Sequence, residues 1–186
     1  MKRHMAKEFW VFGYGSLMWN PGFEHVERTG AELHDYQRSF CLASVRYRGT
    51  EDYPGLVLAL EPKKGACCRG IAFRVSSDCA VEALAYLRER ELGTASYFER
   101  RLPLTLLETG ESVVALCYVM DTGHEQYRGD LCDEERATII ANACGPAGPN
   151  REYLDKTVEN LEDLDVEEPA IRKLADRVAE IAGKAC

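Results

Sequence analysis

The order of residue patterns constrains this chain most: strand-like runs fill most of its first two thirds, and helical ones follow. Phe9-Trp10-Val11-Phe12 is a short aromatic and β-branched run closed by Gly13, which predicts a buried strand. Tyr36–Ser44 and Gly55–Leu60 are further strand candidates. Pro62-Lys63-Lys64-Gly65 supplies a turn. Beyond it Cys67–Val75 alternates, with Ile71, Phe73 and Val75 on one face and Gly70, Ala72 and Arg74 on the other, so a hairpin is predicted. Arg101–Glu108 and Ser112–Met120 predict a second hairpin across Thr109-Gly110-Glu111.

The helical signals are as plain. Asp78 can cap a helix running to about Glu91. Asp133 can cap Glu134–Cys144, with Gly145 as the stop. After the breaker Gly145-Pro146-Ala147-Gly148-Pro149, Asn150 can cap a helix carrying Leu154, Val158 and Leu161. From about Glu168, Ile171, Leu174, Val178 and Ile181 recur at helical spacing. Strands followed by helices argue for an α+β fold with mostly antiparallel pairing and a helical C-terminal third. The 186 residues favour one domain over 1–186, with a core at about 9–165 and a last helix at about 168–182.

Charge and cysteine usage narrow the partners. The formal net charge is −8, which repels a phosphate backbone, so nucleic acid is not an expected partner. No uncharged apolar run approaches the roughly 18 residues of a membrane span. The basic start, Met1 to Glu8, is not followed by an apolar signal segment, so a cytosolic protein is expected. The eight cysteines (41, 67, 68, 79, 117, 132, 144 and 186) contain no CxxC, and the four histidines show no HxxxH or HExxH spacing. Neither a metal site nor a disulfide framework is expected, and the thiols read as reduced, small hydrophobes. Nothing in the sequence indicates an oligomeric state.

Two features carry chemistry. Gly13-Tyr14-Gly15-Ser16-Leu17 follows the first strand directly. Two glycines around one residue permit positive φ, and successive N–H groups can then converge on an anion, with the Ser16 hydroxyl beside them. Met18 stands where a dinucleotide fingerprint needs its third glycine, and no Gly-Lys-Ser/Thr follows, so neither nucleotide loop is present. The segment is either an anion nest or a plain tight turn. The second feature is Glu91. On a wheel of about 100° per residue, Ala80, Leu84 and Leu87 form one stripe, and Glu91 falls on it, whereas Glu82 and Glu89 fall opposite. Burial would raise the Glu91 pKa, as a general acid/base at neutral pH requires. The alternative is a helix that ends one residue early, with Glu91 in water or paired with Arg88 or Arg90. A third stretch, Arg46 to Gly55 with Arg48, Gly49 and Thr50, reads as an exposed connection or as a substrate wall.

These residues resemble the ChaC-like γ-glutamylcyclotransferases. The resemblance rests on Phe12 to Pro21, Arg46-Tyr47-Arg48-Gly49-Thr50 with Pro54-Gly55, and Cys68 to Phe73. It continues through Tyr86-Leu87-Arg88-Glu89-Arg90-Glu91, Tyr127 with Gly129, and Asn150 to Leu154. It implies a compact antiparallel or mixed β-barrel-like sheet flanked by helices. The implied reaction is cleavage of glutathione to 5-oxoproline and cysteinylglycine. The attacking amine and the attacked carbonyl belong to one substrate molecule, so no enzyme nucleophile or cofactor is implied. Glu91 takes the place of the family's catalytic glutamate. Tyr14, Gly15, Ser16 and Leu17 take the place of its γ-glutamyl-binding loop, and Tyr97 and Tyr127 match further motif tyrosines. Ala95-Ser96 stand where the family often has two glycines. Arg48 is a candidate for the glycyl carboxylate. Other expectations left open are a different γ-glutamyl amine or amino acid as substrate, and a non-catalytic γ-glutamyl-binding module. A thiol or metal enzyme is disfavoured by the cysteine spacing.

Overall fold

The structure, a computed structural model, describes residues 7–184. His4, Cys186 and most of the basic N-terminal run lie outside the described residues. The chain divides into two compact units. One takes the residues up to Arg38 and Leu60–Asp121; the other takes Ser39–Ala59 and the residues from Thr122 onward.

The first unit is built on a closed barrel in the order β1-β3-β2-β4-β5. The barrel strands are β1 (Phe9–Gly13), β2 (Glu27–Ser44), β3 (Gly55–Val75), β4 (Tyr97–Leu106) and β5 (Ser112–Met120), with residues 39–44 of β2 and 55–59 of β3 counted in the second unit. The sheet is mixed, because β1 pairs parallel with β5, where Trp10 lies opposite Ala115. β1 runs antiparallel to β3, with Val11 opposite Phe73, and β4 antiparallel to β5, with Arg101 opposite Leu116. Phe12, Tyr14, Ala31, Leu33, Leu60, Cys68, Ala72 and Leu104 are among the buried residues of one apolar cluster.

The predicted hairpin at Pro62–Gly65 does not form. Gly55 to Val75 is one strand of 21 residues. The turn-forming residues are exposed and do not reverse the chain; Gly65 takes φ +81° and its N–H bonds Asp35 Oδ1 at 2.8 Å. β2 starts at Glu27 rather than Tyr36. The second predicted hairpin forms, with Thr105 opposite Ser112.

The helix of the first unit, α1 (Ala80–Leu92), is capped by Cys79 rather than Asp78. In the second unit α2 (Asp133–Asn142), α3 (Asn150–Asp163) and α4 (Pro169–Lys184) pack on one another. The N-cap of α2 is Cys132, not Asp133. Its side chain takes the N–H of Glu135, whose carboxylate takes the Cys132 N–H in turn, a reciprocal capping box. A pair of two-residue strands, β6 (Cys144–Gly145) and β7 (Gly148–Pro149), replaces the predicted breaker. Cys41, Cys68 and Cys117 are buried as expected of small hydrophobes, whereas Cys67, Cys132 and Cys144 are exposed.

Asn150 was expected to cap α3, but Pro149 is the N-cap. The Asn150 side chain, fully buried, spans the backbone of Leu56: Nδ2 donates to its carbonyl at 2.8 Å and Oδ1 accepts its N–H at 2.6 Å. Asn150→Ala leaves both buried groups without those partners. It is expected to destabilise the fold by about 2 kcal/mol, read from the midpoint of urea unfolding.

Candidate active site

Glu91 occupies the last turn of α1, which continues to Leu92. Ala80, Ala83 and Leu87 are buried, Leu87 completely, and Glu82 and Glu89 are exposed. Glu91 lies one turn beyond Leu87 on the same face, and its side chain is 15% exposed. Burial pushes its pKa above the usual carboxylate value, and the charge of Arg90 offsets part of that rise. The ion pair is to Arg90, Nε to Oε1 at 3.2 Å. Arg88 is engaged elsewhere, holding both oxygens of Glu99 at 2.8 and 2.7 Å. That fork holds the Glu99 carboxyl below its ordinary range. The hydroxyl of buried Tyr118, on β5, donates to Glu99 at 3.4 Å. Burial first, then the charges of Glu99 and Glu91, raise the Tyr118 pKa, so its hydroxyl stays protonated.

The glycine loop stands at the end of β1. Ser16-Leu17-Met18 form a single 3₁₀ turn. The expected positive φ is absent: Gly15 has φ −132°, and Gly13 is not among the positive-φ glycines. At Gly13 the requirement is space, since a Cβ would press on Leu17 Cβ and the Met18 nitrogen at 3.2 Å. Leu17 and Met18 are buried, so the turn is anchored by its apolar residues. The leading N–H groups of such a turn have no acceptor within it.

Arg90 ties this loop to α1. Its Nη2 donates to Ser16 Oγ at 2.8 Å, and Nη1 to the carbonyls of Asn20 at 2.7 Å and Pro21 at 3.4 Å. Nη1 also meets the Tyr86 hydroxyl at 3.0 Å, one helical turn earlier. Gly22, at φ +73°, lies under that hydroxyl, and any Cβ there would overlap it. One guanidinium therefore connects the glycine loop, the Asn20-Pro21 backbone and Glu91. Sequence reasoning named Arg90 only as a possible partner of Glu91 and missed its hold on the loop; it also missed Tyr118. The one local signal was the spacing of Tyr86 and Arg90, four residues apart on a helix.

Tyr97 is half-buried at the start of β4, opposite Met120. Before it Ala95 takes φ +55°, so an alanine occupies the left-handed conformation that glycine adopts most easily. Ser96 is fully buried, its hydroxyl meeting Thr94 O at 3.3 Å and Thr94 Oγ1 at 3.1 Å.

The remaining residues from the sequence belong to the second unit. Arg48 donates to the Pro149 carbonyl at 3.2 Å, lies 3.9 Å from Glu152 and sits 5.8 Å from the Tyr153 ring centre. A carboxylate ligand at Arg48 would compete with Glu152. Gly49 is packed too tightly for a side chain: a Cβ would meet the Gly55 nitrogen and, at 2.6 Å, the Ser44 carbonyl. The Thr50 N–H bonds the Tyr53 carbonyl at 3.0 Å, and Thr50 Oγ1 accepts the Tyr53 N–H at 3.1 Å. Tyr53 to Leu56 line a cavity of about 410 Å³ with Ala43, Arg128 and Ile139. Tyr127 bridges to Leu42 and covers Gly129.

Residues 9–181 match the family model described as ChaC-like protein. The chain is 36% identical over 165 residues to the glutathione-specific γ-glutamylcyclotransferase of Escherichia coli (strain K12), covering 89% of this chain and 70% of that one. It is 38% identical over 177 residues to γ-glutamylcyclotransferase 2-1 of Arabidopsis thaliana, covering 91% and 81%. Among solved structures, a γ-glutamyl cyclotransferase specific to glutathione from yeast superposes with a TM-score of 0.81 at 22% identity, over 94% of this chain and 96% of that one. That last likeness bears out the expected fold.

Proposed function

The chain belongs to the ChaC-like protein family, and from that premise we propose that it is a γ-glutamylcyclotransferase that cleaves glutathione to 5-oxoproline and cysteinylglycine. The observation that carries the reading is Glu91: a carboxyl mostly shielded from water, with a raised pKa, held through Arg90 to the loop that follows β1.

The N–H groups at Gly15, Ser16 and Leu17 receive the α-carboxylate of the γ-glutamyl group, the Met18 N–H being held by the Gly15 carbonyl at 2.8 Å. The α-amine then faces its own γ-carbonyl carbon. Its nitrogen forms a bond to that carbon, the amide C–N bond breaks, and a five-membered lactam leaves with cysteinylglycine. Holding both ends of one molecule in this geometry can supply roughly 7–11 kcal/mol of the barrier. Glu91, as carboxylate, accepts the proton lost by the attacking amine and returns it to the departing one. Loop N–H groups near the carbonyl oxygen stabilise its transient negative charge. A cytosolic setting fits the sequence reading of the cysteines as reduced thiols.

Incubating the purified protein with glutathione is expected to yield 5-oxoproline and cysteinylglycine in equal amounts, with γ-glutamyl amines and free γ-glutamyl amino acids turning over far more slowly. Preference for either of those would move the assignment to another γ-glutamyl substrate. A glutathione-dependent rise in melting temperature without turnover would make the protein a binding module.

A further inference from the structure

Outside the glycine loop and α1, one side-chain cluster combines three kinds of metal-binding donor. Glu32 and His34 of β2 and Cys67 of β3 each offer a ligand atom, and these atoms all lie within 4.8 Å of one another. The strand pattern explains how they meet. Ala31 and Leu33 are in the buried cluster, so Glu32 and His34, two residues apart, share the opposite face of β2. Cys68 is in the same cluster, so Cys67 faces outward from β3, the neighbour of β2 in the barrel. No sequence spacing announces such a set, because the third donor is supplied across the ladder.

Two features hold the donors in place. Asp35, next to His34, takes φ +63°, and its Oδ1 accepts the Gly65 N–H at 2.8 Å, joining the strands beside both His34 and Cys67. Burial on β2 changes phase across this point, from Thr29, Ala31 and Leu33 to Arg38 and Phe40, as a one-residue bulge requires. Arg69 Nε holds Glu32 Oε1 at 2.8 Å, which orients the carboxylate and leaves its other oxygen for a ligand. Hydrogen-bonded carboxylates of this kind are typical of the surroundings of bound metal ions.

We propose that Glu32, His34 and Cys67 bind a zinc ion on the outer face of the barrel. Imidazole, thiolate and carboxylate are the zinc donor set, whereas magnesium and calcium demand oxygen ligands. Three protein ligands leave the fourth tetrahedral position to water. Cys67 binds as thiolate, and its proton passes to solvent.

The test uses the full chain, reduced and free of glutathione, titrated with cobalt(II) as the spectroscopic probe. One equivalent is expected to produce a thiolate-to-cobalt charge-transfer band, removed by stoichiometric zinc and untouched by excess magnesium. Cys67→Ser should abolish the band. His34→Ala, which keeps the thiol, should weaken cobalt binding by about tenfold or more. Replacing the exposed Cys132 and Cys144 together by serine should change nothing. A wild-type protein with no band at stoichiometric cobalt overturns the site. So does a band that survives Cys67→Ser, or one lost with Cys132 and Cys144 while Cys67 remains.

Discussion

Glu91→Gln is expected to fold like the wild type and to form 5-oxoproline at least about 100-fold more slowly, the low end of what a positioned acid/base contributes. The amide has the size of the carboxyl and can occupy the same shielded position at the end of α1, but it cannot take a proton from the attacking amine. The same substitution reports on the environment of the group. Burial raises the Glu91 pKa, so the folded protein binds that proton more tightly than the unfolded chain does. The contribution is fully present below the ordinary carboxylate pKa and is lost as pH rises through the raised one. At pH 7 the glutamine variant should therefore melt above the wild type, and the difference should vanish as pH falls below the ordinary carboxylate value. Lost turnover together with a higher melting temperature separates the chemical role of Glu91 from any role in folding. Retained turnover would remove Glu91 from the mechanism.

Arg90→Ala is expected to lower kcat/KM by about 100-fold, the scale of a displacement of about 1 Å in a reacting geometry. The guanidinium holds Ser16 Oγ, two backbone carbonyls, the Tyr86 hydroxyl and Glu91 at once, so its loss frees the loop and the carboxyl from each other. Arg90→Lys should recover only part of the rate, because an ammonium is a point charge and does not reproduce the fork. The pH profile distinguishes positioning from general support of the fold. Arg90 pulls the Glu91 pKa down, so removing it should move the acid limb of the kcat/KM profile to higher pH. An unmoved limb would mean that Arg90 only stabilises the loop.

Local periodicity reached far into this structure where one face of an element is buried. The stripe through Ala80 and Leu87 leads to Glu91 because α1 keeps its helical phase to its last turn. The first half of β2 was legible in principle, since Thr29, Ala31 and Leu33 alternate with Arg28, Gly30, Glu32 and His34, but those exposed or half-exposed members masked a strand half-facing solvent. Pro62 to Gly65 misled because turn residues are tolerated in an exposed part of a long strand when a neighbour such as Asp35 binds the local N–H. The cap positions slipped because short polar side chains were the only signal available, and at Asn150 the side chain is committed to Leu56 instead. The hold of Arg90 on Ser16, Asn20 and Pro21 and the bond from Tyr118 to Glu99 join residues well separated along the chain, and the Tyr86–Arg90 spacing is their one local sign.

The central claim is that the substrate attacks itself, with water excluded from the bond-making step. Turnover of glutathione in ¹⁸O-labelled water, followed by mass spectrometry of the products, tests it directly. Self-cyclisation predicts 5-oxoproline and cysteinylglycine that are both free of label. Labelled glutamate among the first products would show water attacking the γ-carbonyl, and would contradict the account.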